Sequence, residues 1–403
     1  MENKIKNLIE ASDRIKLAVK NGERIILYGD SDCDGITSVT ILKEAIKNLG
    51  GDVFAVFFPD RENDGYGVNA RAVETLKDKV PVASPVDEAN LAPFGRALLI
   101  TLDLGIGNVK EIKKLNELGF EVMVIDHHEP LDVLPEAKII VDPKQKDGGA
   151  EFSYLCNAGL VYKLCQELLG ADFSESSQNS FLELVALATI SDMVPQIEEN
   201  KLFIERGLRS LKNTFRPGLR AFFDIFGEGE IVSGGFLKII STLNAAESKD
   251  WQNESYNLLT NSSPKECQEM VENLKAKIFY KQQKIKEISE EVSRRISQKP
   301  DEAVIFEGDP AWKLTLAGPV ASIIAGRYNK PTFIFKKGDS ESCGSVRSLK
   351  EGQSSVEAMK ACKDFLITYG GHAKASGFRL KNEDLERFKN KLNEYFKKYA
   401  KGN

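Results

Sequence analysis

The sequence predicts an α/β protein of two domains that are joined by one long helix. Strand and helix patterns alternate across residues 24–142, which is typical of a mostly parallel sheet with right-handed crossovers. From residue 264 to 299, apolar residues recur at helical spacing, and a second α/β pattern follows residue 300. The predicted parts are a first domain at 1–262, helical from about 200, a connecting helix at 263–299 and a smaller second domain at 300–403.

Five short apolar runs in the first domain have the composition of strands that are buried on both faces. They are rich in Val, Ile and Leu, and Gly, Asp or Pro residues follow them. These predicted strands lie at 24–28, 52–58, 96–102, 121–126 and 137–141. Helical spacing of apolar residues predicts helices at 2–20, 36–48, 109–118, 157–169 and 181–190, and mainly helical sequence fills 200–262.

The second domain has fewer clear elements and two Gly-rich segments. Strands are predicted at 303–306 and 332–335, and helices at 320–328 and 384–398. The segments CGSVRS and YGGHA are predicted to be turns. Turns that carry Arg347, Ser348 and His372 suit contacts with anions, because these groups and the backbone N–H donate hydrogen bonds. A plain turn with a solvated Arg is the alternative.

Composition excludes several classes of protein. The six cysteines contain no CxxC pair, so a disulfide scaffold or a zinc ribbon is not expected. No apolar run approaches the ~20 residues that span a bilayer, and the charged N-terminal segment has no signal-peptide core. We therefore expect a cytoplasmic protein without membrane contact. The net charge of −5 argues against a chain coated by nucleic acid, but it permits a local basic groove.

Three alternating carboxylates follow the first predicted strand. In an extended chain, Asp30, Asp32 and Asp34 would point the same way and converge on one cation. The spacing also matches a calcium loop. An EF-hand, however, requires Glu at the twelfth loop position, which is Ile41 here, and a helix in place of the preceding strand. A divalent metal at a strand-to-helix corner is the favoured interpretation.

Further polar residues follow other strands of the same sheet. Asp103 follows the third strand, and Asp126, His127 and His128 end the fourth. Since parallel strands carry their carboxyl ends to one edge, these side chains are expected to meet there. Asp192 ends a predicted helix and would by itself be read as a boundary residue. Hard oxygen donors with imidazole suit Mn²⁺ or Mg²⁺, and the set is large enough for two ions that act on a phosphoryl group.

Seven motifs in this order resemble those of the DHH phosphoesterase superfamily: GDSDCDG, DGYG, LDLG, DHH, ATISDMVP, VRS and GGHAKASG. Within it, the chain resembles the RecJ-like single-strand-specific exonucleases, in a form without their C-terminal oligonucleotide-binding domain. The resemblance implies a parallel-sheet DHH domain, a long helix and a smaller DHH-associated domain, with the active-site groove between the two domains.

The resemblance also implies roles for individual residues. Asp32 and Asp103, with Asp30 close by, would bind one of two divalent ions, most often Mn²⁺ with Mg²⁺ as the alternative. The second ion would be bound by Asp34, Asp103, His127 and Asp192, so that Asp103 bridges the two. His128 would contact the phosphate or the leaving oxygen, and Asp126 would orient the histidines. The nucleic-acid backbone would be held by Arg61, Arg347, Ser348, Gly370, Gly371 and His372.

Two departures from the family pattern bear on activity. Tyr28 stands where many relatives have His, which implies that the first ion is bound more weakly or is completed by water. The Asn-Ala-Ala run, normally set among arginines, reads STLNAAES here. The loss of two cations implies a lower affinity for DNA or dependence on a partner.

The resemblance therefore implies a two-metal 5′→3′ exonuclease. It would release mononucleotides from single-stranded DNA or RNA in DNA repair, recombination or replication, with a single-strand-binding or replication protein as a partner. One alternative is a phosphodiesterase or phosphatase for short substrates: very short oligonucleotides, 3′-phosphoadenosine 5′-phosphate or cyclic dinucleotides. Another is an inactive replication scaffold.

Overall fold

The computed structural model describes residues 4–80, 97–350 and 352–400. It divides into two compact units, which are described separately. The first comprises Met1–Asp60 and Tyr66–Ile278, and the second comprises Arg61–Gly65 and Phe279–Asn403. The domain bounds given above from the sequence stay a prediction.

A five-stranded parallel sheet forms the centre of the first unit, in the order β2-β1-β3-β4-β5. Its strands are β1 Arg24–Gly29, β2 Val53–Phe57, β3 Ala97–Leu102, β4 Phe120–Ile125 and β5 Ile139–Val141. Side chains alternate between two cores. Ile25 and Leu27 belong to one core, whereas Ile26 and Tyr28 belong to the other. Because both faces are covered, the strands read as continuous apolar runs.

The helices of the first unit surround this sheet, and a two-stranded hairpin follows α10. The helices are α1 Leu8–Asn21, α2 Cys33–Asn48, α3 Ala70–Lys79, α4 Val109–Glu117, α5 Asn157–Leu169, α6 Glu175–Ser191, α7 Glu198–Leu211, α8 Pro217–Phe226, α9 Glu228–Glu230, α10 Phe236–Leu243 and α11 Glu254–Thr260. The hairpin consists of β6 Ser248–Lys249 and β7 Gln252–Asn253. The helix α3 was not predicted from the sequence.

The residues that follow three of the strands, β1, β3 and β4, lie in one row at the sheet edge. The backbone N–H of Asp30 donates to the Leu102 carbonyl at 3.1 Å, and that of Asp103 donates to the Ile125 carbonyl at 3.0 Å. The N–H of Asp126 continues the ladder to Val141 at 3.0 Å. The parallel register therefore brings these carboxylates to one edge, as predicted.

The unit boundary lies inside the long helix α12, Pro264–Ser297, which has 34 residues and a length of about 51 Å. The second unit contains a sheet in the order β11-β12-β10-β9-β8, in which only β8 and β9 are parallel. Its strands are β8 Ile305–Asp309, β9 Thr332–Lys337, β10 Glu341–Arg347, β11 Leu366–Gly371 and β12 Ala375–Lys381. Its other helices are α13 Leu314–Tyr328, α14 Ser355–Lys360 and α15 Leu385–Ala400. Across the described ranges, no helix combines the length and the apolar character that crossing a membrane requires.

The prediction of turns at the two Gly-rich segments of the second unit is correct for His372 and Ala373, which lie between β11 and β12, but wrong for the residues that belong to strands. Arg347 is the last residue of β10, and Gly370 and Gly371 are the last residues of β11. Glycine is generally depleted in strands, but here it permits close packing. A Cβ atom on Gly344 would lie 2.4 Å from the Ile334 carbonyl oxygen of the neighbouring strand.

The short segment Arg61–Gly65 belongs to the second unit because its side chains are held there. Lys336 Nζ donates to Glu62 at 2.7 Å, and the Thr315 backbone N–H donates to the same carboxylate at 3.2 Å. Thr315 lies in the first turn of α13, where the helix dipole favours a negative charge. A loop predicted from the sequence is thereby anchored to an element about 250 residues away in the chain.

Candidate metal centre

The three aspartates of the first motif are arranged around the start of α2. Asp30 is buried directly after β1, and Asp32 is the N-cap of α2, accepting the Gly35 N–H at 3.1 Å. Asp34 already lies in the first helical turn. The expectation of an extended chain with alternating side chains is therefore wrong, because the helix begins at Cys33.

Contacts with α5 direct Asp34 toward the sheet edge. Its two carboxylate oxygens accept the backbone N–H groups of Asn157 and Ala158, each at 2.7 Å, at the start of that helix. Gly35 permits the tight corner, since a Cβ atom there would lie 2.4 Å from the Asp30 carbonyl oxygen. Because the helix α2 begins within the sequence DCDG, the carboxylate of Asp34 points inward.

Asp103 occupies the centre of the site in a left-handed conformation. Its φ is 64°, which Asp tolerates better than most residues. The side chain is buried, and Oδ1 lies 3.2 Å from Nε2 of His127 and 4.0 Å from Nδ1 of His128. No described residue donates a hydrogen bond to this oxygen. We expect a bound cation to compensate the negative charge of this buried carboxylate.

His127 presents a lone pair to several carboxylates. Its Nδ1 lies 3.1 Å from the Leu155 carbonyl oxygen and therefore donates, which leaves Nε2 as an acceptor. Nε2 faces Oδ2 of Asp34 and of Asp192, each at 3.7 Å, besides Asp103. Burial, together with the charge of His128, lowers the pKa of His127 to about 3. The ring is neutral at physiological pH, as a metal ligand must be.

His128 has the opposite electrostatic character. Its Nδ1 donates to Oδ1 of Asp126 at 2.8 Å, while Oδ2 of Asp126 accepts the Ile106 N–H at 3.0 Å. Although burial acts to lower the pKa of His128, the Asp126 carboxylate raises it to about 9. Burial conversely acts to raise the pKa of Asp126, but the charge of His128 holds it at about 2. The pair is an ionised couple beside a neutral His127.

Asp192 completes the cluster from the end of α6. It is the C-cap of this helix, and its Oδ2 accepts no hydrogen bond from the described residues. Burial raises the pKa of Asp192 to about 7. Burial and the neighbouring carboxylates raise the pKa values of Asp34 and Asp103 well above the usual range. These carboxylates repel one another unless protons or cations neutralise them.

Two overlapping sets of donors could each hold a metal ion. Ligand atoms of Asp34, Asp103 and His127 lie within 4.8 Å of one another, and so do those of Asp30, Asp32 and Asp103. Asp103 belongs to both sets, as a bridging ligand would. Carboxylate oxygens with one imidazole suit Mn²⁺ or Mg²⁺. This donor set fits two divalent ions.

The predicted substrate residues of the second unit gather where β10 ends beside the β11–β12 turn. The Ser348 N–H donates to the Lys374 carbonyl at 3.0 Å, and the His372 N–H donates to the Ala375 carbonyl at 2.7 Å. Nε of Arg347 donates to Ser322 Oγ at 3.1 Å. Gly370 and Gly371 complete this edge, and Arg61 lies in the segment that joins the same unit.

Two family models match the chain in the order of these units. The model of the DHH family N-terminal domain matches residues 24–189, and that of the DHHA1 domain matches residues 301–398. The chain contains a DHH domain and a DHHA1 domain. The resemblance drawn from the seven motifs is thus confirmed.

Curated relatives of this DHH chain are longer than it is. The single-stranded-DNA-specific exonuclease RecJ of Bacillus subtilis is 32% identical over 399 residues, which are 97% of this chain and 48% of the relative. RecJ of Thermus thermophilus is 30% identical over 399 residues, which are 97% of this chain and 54% of the relative. The chain therefore spans about half the length of these curated relatives.

Solved structures confirm the predicted α/β fold. The crystal structure of RecJ from Thermus thermophilus in complex with Mn²⁺ matches with a TM-score of 0.75 and 26% identity, over 98% of this chain and 55% of that one. A crystal structure of exonuclease RecJ bound to manganese matches with a TM-score of 0.71 and 27% identity, over 98% and 95% of the two chains.

Sequence reasoning missed how Asn244 contacts two parts of the DHH site. Its Oδ1 accepts the Cys33 N–H at 2.9 Å, and its Nδ2 donates to Ser191 Oγ at 2.9 Å. It therefore connects the loop of Asp32 with the helix end that carries Asp192. In the sequence, the Asn-Ala-Ala run indicated a loss of arginines, but its Asn residue was also the signal for this structural contact.

Lys144 was also missed, because it follows β5 in a segment without a recognisable motif. Its side chain is largely buried, and Nζ lies 3.6 Å from Oε1 of Glu129, the residue after the histidine pair. Its backbone N–H donates to Asp142 at 2.7 Å. The positive charge contributes to the lowered pKa of His127, which indicates that it lies near the DHH centre.

The raised pKa of Asp192 predicts a pH-dependent stability of the metal-free protein. Between pH 3.8, the ordinary value, and about 7, the folded state retains a proton that the unfolded state has lost. Stability contributed by this group therefore falls as the pH rises through that window. We expect Asp192→Asn to be more stable than the unchanged protein in EDTA at pH 7.5, by roughly 1–4 kcal/mol, and to gain little at pH 4.5.

Urea unfolding at several pH values measures this difference. With saturating Mn²⁺ the order should reverse, because only the unchanged protein keeps the complete ligand set. A stability difference that does not vary with pH in EDTA would contradict the electrostatic account.

Proposed function

We propose that this DHH protein is a single-strand-specific exonuclease that hydrolyses phosphodiester bonds with two divalent ions, Mn²⁺ in first place. The observation that carries the proposal is the position of Asp103, whose buried carboxylate belongs to two donor sets and faces the lone pair of His127. The names of the RecJ relatives support single-stranded DNA as the substrate. We propose 5′→3′ release of mononucleotides in the cytoplasm, with a single-strand-binding or replication protein as a partner.

The proposed ligand assignment follows the two sets. One ion would be bound by Asp32 and Asp103 with Asp30 close by, and the other would be bound by Asp34, Asp103, His127 and Asp192. Two bound divalent ions supply a nucleophile at neutral pH and positive charge for an in-line phosphoryl displacement. Asp103 is the ligand whose loss would affect both.

The residues around the ligands have separate roles in this proposal. Asp126 holds His128 protonated, so that this ring would act as a proton donor toward a phosphate oxygen or the leaving oxygen. Leu155 fixes the tautomer of His127 so that Nε2 is a ligand. The ring of His127 is buried, whereas that of His128 is partly exposed.

Substrate contacts are proposed for the edge formed by β10 and the β11–β12 turn. Arg347 presents a guanidinium that suits phosphate, and Ser348 has a buried hydroxyl without a hydrogen-bond partner among the described residues. Close approach of the substrate to the backbone is proposed at Gly370 and Gly371, and a further hydrogen-bond donor is proposed at His372. Arg61 is proposed as another phosphate contact.

A chain-length series of 3′-labelled oligodeoxynucleotides with Mn²⁺ tests the function. Progressive release of mononucleotides from long single strands, and none from duplex ends, is expected. Activity confined to two- to four-mers would instead indicate a short-substrate phosphodiesterase, and no hydrolysis with intact Mn²⁺ binding would indicate a scaffold.

Arg347→Ala should mainly weaken substrate binding, because the residue would contact phosphate rather than the reacting atoms. We expect KM to rise about tenfold, with kcat within about twofold. Steady-state kinetics on a single-stranded oligonucleotide measure both values. Arg327→Ala, at an exposed arginine of α13 in the same unit, is the matched control and should change neither. A large loss of kcat at saturating substrate would contradict the binding role of Arg347.

A further inference from the structure

The middle of α12 carries two exposed aromatic side chains within a basic stretch. Residues 279–286 read FYKQQKIK, with three lysines and no acidic residue. Phe279 is 65% exposed and Tyr280 is 53% exposed. All eight residues belong to the second unit. We name Phe279, Tyr280, Lys281, Lys284 and Lys286 the aromatic–lysine patch.

Other apolar residues of α12 are buried, unlike Phe279 and Tyr280. Ile288 and Val292 are buried and pack in a core of the second unit, where Ile285 is partly buried. Phe279 precedes Ile288 by nine residues, which is about two and a half helical turns. The two side chains therefore point to opposite sides of the helix. Phe279 thus lies on the face opposite the core stripe, and Tyr280, although closer in angle to Ile288, is exposed.

One lysine contacts a ring of the patch, although the whole chain is acidic. Nζ of Lys284 lies 5.9 Å from the centroid of the Tyr280 ring and 2.7 Å from Glu287 Oε2. Lys286 is exposed and lies about two helical turns after Phe279. Single exposed apolar residues are common on protein surfaces. Here two exposed rings are adjacent, and they lie in an eight-residue stretch without acidic residues although the chain has a net charge of −5.

We propose that the aromatic–lysine patch binds single-stranded nucleic acid by stacking bases on Phe279 and Tyr280 while its lysines contact the phosphates. Exposed rings beside cationic groups are the general solution for single strands, since every base has a face that can stack. Duplex bases offer no free faces, so the patch discriminates in favour of single strands. The inference rests on the proposed function for the identity of the substrate, and it adds a contact that the metal centre does not supply.

The composition of the patch favours nucleic acid over a protein partner or a second copy of the chain. Stable protein interfaces bury a larger apolar area and are poor in lysine at their centre. Here the two rings are the only exposed large apolar side chains of α12 among the described residues. The lysines of the patch complement the negative charge of the phosphates.

The complete protein carrying Phe279→Ala and Tyr280→Ala together tests the proposal. Anisotropy of a fluorescein-labelled oligothymidylate of about 20 nucleotides, in EDTA, should show affinity at least about tenfold weaker than that of the unchanged protein. Hydrolysis of a dinucleotide with Mn²⁺ should stay within about twofold, because both donor sets of the metal centre consist of residues of the first unit, none of which is changed. Phe215→Ala, at a 68% exposed ring in the first unit, is the matched control and should leave both measurements unchanged.

Charge reversal at Lys284 and Lys286 provides a second variant in case the double alanine variant is not folded by circular dichroism. It should weaken binding of the 20-mer by a similar factor and reduce the salt dependence of binding. Unchanged affinity for the 20-mer in both variants would overturn the proposal. So would a parallel loss of dinucleotide hydrolysis, or a shift from dimer to monomer in size-exclusion chromatography with affinity retained. If the unchanged protein hydrolyses nothing but binds the 20-mer through the patch, the proposed function fails and this inference stands.

Discussion

Asp103→Asn is expected to reduce hydrolysis of single-stranded oligonucleotides by at least about 10³-fold at saturating Mn²⁺. The substitution removes the one carboxylate that belongs to both donor sets. It should leave the backbone intact, because Asn tolerates the left-handed conformation, with φ at 64°, that Asp103 adopts. Initial rates and isothermal titration with Mn²⁺ measure the loss of turnover and of bound ions.

Asp147→Asn is the matched control for this variant. Asp147 also has a left-handed backbone, with φ at 56°, but it is exposed and is not part of either donor set. Its substitution should change neither turnover nor Mn²⁺ binding. If Asp103→Asn instead retained a rate near that of the unchanged protein, the two-ion assignment would be wrong.

Substitution of the adjacent histidines should have different consequences. His127→Ala is expected to weaken Mn²⁺ binding, because the neutral Nε2 lone pair faces three carboxylates. His128→Ala is expected to retain Mn²⁺ binding and to lower kcat by about 10²–10³-fold, as for the loss of a proton donor. Titration calorimetry and kcat, measured on both variants, separate the two effects.

The pH profile provides the control for this assignment. With His128 protonated below its raised pKa of about 9, an alkaline decline in kcat should reflect loss of that proton. Asp126→Asn removes the charge that raises this pKa and should shift the decline to lower pH. Equal loss of Mn²⁺ affinity in the two histidine variants would show that both rings are ligands and would refute the division of roles.

Much of the first unit could be predicted because its strands are covered on both faces. Continuous apolar runs such as 121–126 identify buried strands, and their alternation with helices indicates parallel pairing. Once the pairing is parallel, Asp30, Asp103 and Asp126 must share an edge. The helix α3 and the strands β10 to β12 were harder to predict, since half-exposed elements with glycine have weak local signals.

The sequence by itself determined which residue types collect at the carboxyl edge of the sheet, because local patterns of apolar and acidic residues specify the strands and their ends. Only the tertiary structure decided what each side chain does there. The start of α5 directs Asp34 inward, Leu155 sets the tautomer of His127, and Asp126 keeps His128 charged. Two of these partners are distant in the chain, and the burial that separates the pKa values of the adjacent histidines exists only after the chain has folded.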